Sequence, residues 1–257
     1  WFPEDEMVKS LVFYDPKIEP IPPDELPLNL HLKELEGVIF RSSWEKDGLM
    51  FGLKCGPYGG RWNFDLISGK ELPYNQQKRA ALGHRITASE YSMGHSHRAA
   101  GTFWINWKGV MLTSKVSGYG TSDTYQHNTV VVNGENQFKC DDRYAGDATF
   151  VQTGASTPVM ISGDDYSFCV ADAGPRYMNE ETGQNPLEEF TRHVLYVRRD
   201  DPGYFVIADR LVARAPGTFE WMCHLSGNVT REQDWIRGQT EDGLGLGVTV
   251  LSPTAYT

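Results

Sequence analysis

Two short clusters hold the residues best suited to chemistry. The first is Gly94-His95-Ser96-His97-Arg98, followed by Gly101-Thr102-Phe103-Trp104. In an extended chain, residues two apart face the same side, so His95 and His97 address one place together. Paired imidazoles of this kind can ligate a divalent metal or set a general base beside one. The second cluster is Tyr125-Gln126-His127-Asn128-Thr129, directly before the apolar run Val130-Val131-Val132. A His and an Asn at the mouth of a strand can face a cleft; the plainer alternative is that they cap the strand end. Trp104 and Trp107 fall on opposite faces of a strand, so one suits the core and the other can stack on a sugar. His84 can approach the same cleft from a loop, as can Tyr119 and Tyr125. His224 reads more readily as a satisfied core residue, His193 as structural, and His31 as solvated. No Gly-x-Ser-x-Gly, P-loop or dinucleotide fingerprint occurs.

Short β-type runs position these clusters. They recur at Gly37–Arg41, Leu49–Lys54, Gly101–Trp107, Thr129–Val132, Phe150–Gly154, Phe168–Ala171, His193–Val197, Tyr204–Ala208, Thr218–Leu225 and Leu246–Leu251. Turn residues separate them, and Asn133-Gly134 is a strong hairpin signal. Only residues 1–16 show a helical period, with Met7, Leu11 and Tyr14 on one face, ended by Asp15-Pro16. Pro16 to Leu28 is proline-rich and acidic and reads as an extended surface linker. The expected fold is all-β: a large antiparallel two-sheet β-sandwich, supersandwich-like, with a short N-terminal helix and a Pro-rich linker. Residues 1–32 form the end of a helical domain plus linker, and 33–257 the sandwich. The chain opens at Trp1 without an initiator Met and closes just after an apparent strand, so a fragment or processed chain is expected.

Composition excludes some function classes. The net charge is −10 and the pI about 5.2, which argues against a non-specific nucleic-acid binder. An acidic sugar stays admissible, because a cleft can be locally positive on an acidic protein. No stretch approaches the roughly 18 apolar residues of a membrane-spanning helix. Four cysteines are widely spaced with no Cys-x-x-Cys pair, so a zinc knuckle is not indicated. Buried free thiols are the preferred reading, with disulfide pairing the alternative.

Taken together, His-x-His, Gly101-Thr102-Phe103, the Lys108-Gly109 turn and His127-Asn128-Thr129-Val130-Val131-Val132-Asn133-Gly134 resemble the heparinase II/III-like polysaccharide lyases. Phe13-Tyr14-Asp15-Pro16 looks like the exit from that family's helical toroid, and Arg41-Ser42-Ser43-Trp44 like its first sandwich strand. Tyr204 to Leu211 and Phe219 to Leu225 look like late strands. The resemblance covers about residues 7–227. It implies an (α/α) toroid, in cis or on another chain, with an acidic polysaccharide held between toroid and sandwich. The implied reaction is β-elimination across uronic-acid linkages of heparin, heparan, alginate or related glycans. The implied location is periplasmic or secreted.

Residue by residue, the resemblance gives His97 and His127 to a zinc or similar divalent ion and sets His95 toward the substrate carboxylate. His127 and Tyr125 join His95 as catalytic candidates. Arg98, Trp104, Asn128, Lys115 and His84 are the substrate-binding candidates. Two departures stand out. Ala99 replaces the family's Asp two residues after the metal His. The turn that carries the family's metal carboxylate reads Leu112-Thr113-Ser114-Lys115-Val116-Ser117-Gly118, without a carboxylate. Asp123 is the substitute ligand to consider, or Lys115 supplies the positive charge itself. Alternatives of other classes are a non-catalytic glycan-binding or structural sandwich, and a uronyl C5-epimerase. This chain is expected to hold only half of an active site.

Overall fold

The computed structural model describes residues 15, 17–19, 21–61, 64–65, 68, 97–113, 122–139, 152–199 and 202–252. The expected N-terminal helix falls outside these residues, as do His84, His95, Lys115 and Tyr119.

The regular structure among the described residues is nearly all antiparallel strand. A five-stranded sheet runs in chain order through β1 (Asn29–Leu32), β2 (Gly37–Arg41), β3 (Leu49–Lys54), β4 (Thr102–Trp107) and β5 (Val110–Met111). A four-stranded sheet has β7 (Ser156–Ser162), β8 (Tyr166–Asp172), β9 (Leu187–Val197) and β10 (Tyr204–Ala213) side by side. β6 (Val130–Val132) pairs with β11 (Phe219–Trp221), and β12 (Asn228–Glu232), β13 (Trp235–Gln239) and β14 (Gly245–Thr249) form a last small sheet.

The two large sheets meet through aromatic rings. Inward residues of β4 are Phe103 and Ile105; those of β9 are Phe190, Arg192, Val194 and Tyr196, every second position as a pleated strand requires. Phe51 stacks on Phe205 across the layers at 4.9 Å, and Phe205 on Tyr196 at 4.6 Å. Phe40 and Phe103 flank Phe51, each at 6.0 Å. This apolar contact between two sheets is what makes the sandwich. Cys55, Cys169 and Cys223 are free thiols within or against it.

Several expectations are corrected. Asn29–Leu32 lies in the stretch read as linker and domain end, yet it pairs with β2 as an edge strand. His31 sits in β1, half-buried rather than solvated, with a buried Nε2 that has no hydrogen-bond partner. The run at 150–154 is no strand over its described part, Gln152–Gly154; the strand begins at Ser156. Its Pro158 falls where the β7–β8 register shifts, on an edge strand, the place a sheet tolerates a missing donor. Asn133 and Gly134 do turn tightly, with φ of 55° and 73°. The turn closes only one bridge, Val132 to Glu135, and β6 takes its ladder from β11 instead. Trp107 is the tryptophan against the core. Trp104 lies on the opposite face, its indole so close over Gly52 that a Cβ there would meet it at 2.1 Å.

Candidate functional site

Two segments carry the histidines, and the sequence folds each of them against the other. The first, His97 to Gly101, leads into β4. The second, Asp123 to Thr129, leads into β6 through a single 3-10 turn at Thr124–Gln126. Arg98 N–H donates to Ser122 O at 2.9 Å. The Ala100 carbonyl accepts from the Thr129 hydroxyl at 2.8 Å and from the Gln137 amide at 3.0 Å. The two bonds to Ala100 O are buried, so water does not loosen them.

The result is that His97 Nδ1 and His127 Nε2 stand 3.2 Å apart, with ring centroids at 5.0 Å and planes inclined by 58°. The two ring nitrogens thus face each other. One proton shared between them makes a hydrogen bond. The same gap is close to the roughly 3.3 Å that separates two nitrogens bound at about 2.0–2.1 Å to a tetrahedral zinc. The pair therefore fits two positions of such an ion. Asp123, the substitute carboxylate, is turned to other partners: it accepts from Arg98 at 3.1 Å and from Asn136 at 3.2 Å. Among the described residues no three His, Cys, Asp or Glu side chains gather as a metal group.

Arg98 spans two carboxylates, Asp123 and Glu180, each at 3.1 Å. Its cation is thereby neutralised within the protein, and what it does in this structure is fasten the His97 segment to the Asp123 turn. Tyr125, on that turn, is exposed over about half of its area (52%). Trp104 belongs to the outer face of the five-stranded sheet, over Gly52, rather than to the Phe103 face.

Asn128 is buried and works in both directions. Its Nδ2 donates to Phe103 O at 2.9 Å, and its Oδ1 accepts the backbone N–H of His224 at 2.8 Å. The Nδ1 of His224 lies 3.1 Å from the same oxygen. Asn128 is thus a brace between β4 and the residues after β11.

The residue that the sequence reading passed over is Arg192. It is fully buried. Its Nη1 donates to Gly101 O at 2.6 Å and to Asn128 O at 2.9 Å, one carbonyl from each histidine segment. Its Nε and Nη2 grip both oxygens of Asp209, at 2.8 and 2.6 Å, and Trp221 Nε1 also donates to Asp209. Burial works against the charge on Arg192, but the Asp209 carboxylate outweighs it and keeps the guanidinium protonated. The only sequence sign of this arrangement was a charge at an inward position of an apolar strand.

Comparison with known proteins agrees with this architecture. The family model described as heparinase II/III-like, C-terminal, matches residues 86–253. No curated protein matches the chain. Among solved structures, a heparan sulfate lyase HepC from Pedobacter heparinus is similar at 18% identity and a TM-score of 0.58, covering 99% of this chain and 33% of that one. A heparinase III gene product is similar at 18% identity and a TM-score of 0.57, over 98% of this chain and 32% of that one. A further heparinase III structure gives 15% identity and a TM-score of 0.54. At these identities the likeness concerns the fold, and the chain spans about a third of the length of those proteins.

Proposed function

The chain belongs to the heparinase II/III-like family through that C-terminal match, and from this premise we propose that it is the sandwich half of a polysaccharide lyase acting on uronic-acid glycans. The observation that carries the reading is the His97–His127 pair, held by buried bonds at the mouths of β4 and β6. Further support comes from one fold relative, a heparan sulfate lyase. A helical toroid, in cis or on another chain, would complete the cleft, and export to the periplasm or medium would bring the protein to such glycans.

The reaction removes a weakly acidic proton. A base takes the C5 hydrogen of the uronate, the electron pair forms the C4–C5 double bond, and the C4–O bond breaks as its oxygen receives a proton. The carboxylate at C5 must be neutralised for this to proceed. A divalent ion held by His97 Nδ1 and His127 Nε2 would supply that neutralisation as a Lewis acid. His95, two residues before His97, is proposed to face the carboxylate. Tyr125, an exposed residue on the turn, is proposed to give its hydroxyl proton to the leaving oxygen.

The test is direct. The full-length protein is incubated with heparin, heparan sulfate, alginate, chondroitin and ulvan, and unsaturated uronide is followed by its ultraviolet absorbance. Absorbance gained on any of them upholds the lyase reading. C5 deuterium exchange without unsaturation points to an epimerase. Binding with neither outcome leaves a glycan-binding module. Metal analysis of the same preparation separates an ion at His97 and His127 from a site in which Lys115 carries the charge.

A further inference from the structure

We propose that His224 is a further working imidazole of this site, held by Asn128 with its proton on Nδ1 so that Nε2 is offered to a hydroxyl of the bound glycan.

The backbone register brings His224 to the site. β6 and β11 pair with Val130 opposite Trp221 and Val132 opposite Phe219. The ladder continues past the strand ends, since Met222 N–H donates to Thr129 O at 2.9 Å. Two residues further along, His224 falls across from His127. There the ladder is interrupted in a specific way. The His127 carbonyl is turned back to Thr129 N–H at 2.9 Å, and the Asn128 side chain takes its place as acceptor for His224 N–H at 2.8 Å.

That substitution fixes the chemistry of the ring. A backbone N–H only donates, and Phe103 O only accepts, so the Asn128 amide has one allowed orientation, with Oδ1 toward His224 and Nδ2 toward Phe103. The His224 Nδ1, 3.1 Å from Oδ1, must then carry the proton. In the neutral form of that tautomer the lone pair is on Nε2. His224 is half-buried rather than sealed in the core, and with Nδ1 held by Asn128 Nε2 is the nitrogen assigned to the ligand. It does not join His97 and His127 in a metal group. Its chemistry is therefore that of a hydrogen-bond acceptor beside the metal-type pair, and the donors abundant in a polysaccharide are hydroxyl groups.

The assignment rests on the glycan reading above, and the experiment separates the two. Imidazole nitrogens of the full-length protein are observed by NMR while tetrasaccharides of heparan sulfate, alginate and chondroitin are added in turn. His224 is expected as the Nδ1–H tautomer, with its Nε2 resonance displaced by one of the three. In parallel, turnover and thermal midpoint are measured for His224→Gln. The expected result is a loss of tenfold or more in kcat/KM with an unchanged midpoint. A ring protonated on Nε2, or an Nε2 signal indifferent to all three sugars, overturns the proposal. So does full turnover by His224→Gln while the wild type cleaves its glycan, and the lyase reading then stands alone. A displaced Nε2 signal without any cleavage keeps His224 as a sugar contact and removes the lyase reading instead.

Discussion

His97 Nδ1 lies 3.2 Å from His127 Nε2, although the two residues are 30 positions apart in the chain. Neither ring is brought there by its own strand. The segments before β4 and β6 are joined through Ala100 O, Thr129 Oγ1 and Gln137, and the rings follow.

His97→Ala and His127→Ala are each expected to lower lyase turnover about a hundredfold or more, the scale of a lost acid–base or electrophilic group. The double variant is expected to be little worse than either single one, since the two act as one unit. Initial rates on the best glycan of the panel check this. Losses that multiply would show that the rings work separately.

Arg192→Met is expected to destabilise the fold by about 3–5 kcal/mol, because it strands the buried Asp209 carboxylate. Adding Asp209→Leu should recover only part of this. The carbonyls of Gly101 and Asn128 would still lack their donor, at about 1–3 kcal/mol for a buried unsatisfied group. Urea unfolding of the single and double variants measures both quantities.

Gly52→Ala is expected to cost about 1–3 kcal/mol, as overpacking of a filled site does. The new methyl would sit 2.1 Å from the Trp104 ring. Combining it with Trp104→Ala should abolish the incompatibility between them, giving a coupling term in a double-mutant cycle. Additive effects would mean the indole moves aside freely.

Alkali should weaken the fold through its thiols. Burial pushes Cys169 from 9.0 up to about 12 and Cys223 up to about 11; burial and then Asp172 raise Cys55 further. Between pH 9 and those values the unfolded chain has lost protons that the folded chain keeps. Stability is therefore full below about pH 9 and falls as pH rises toward 11 and 12. Unfolding midpoints from pH 8 to 11 check the sign, and Cys55, Cys169 and Cys223 should resist alkylation at pH 8 until denaturant is added.

The strands with strong periodicity were legible as sequence. β2 and β3 occupy the expected residues, and β8, β9 and β10 extend the runs that marked them. β12 and β13 were not, because most of their residues are exposed and carry no alternation to read. β1 was hidden by the prolines before it. The Asn133-Gly134 turn was correct as local chemistry, yet β6 found its partner 87 positions beyond Val132, at Phe219, which no dipeptide announces. His97 and His127 were visible as candidates by type and spacing. Arg192 was not, since a cation in a strand is normally a surface residue and its burial depends on Asp209 arriving from the next strand.

The fork at Arg192 also sets an order of events. Both rings are synthesised long before residues 192 and 209, so a nascent chain that has passed Thr129 owns the imidazoles without the clamp that aligns Gly101 and Asn128. The working edge of the molecule is in that sense a late product of closure between distant strands. Grafting the stretch from 97 to 129 onto another scaffold would transfer the letters of the motif and leave its geometry behind.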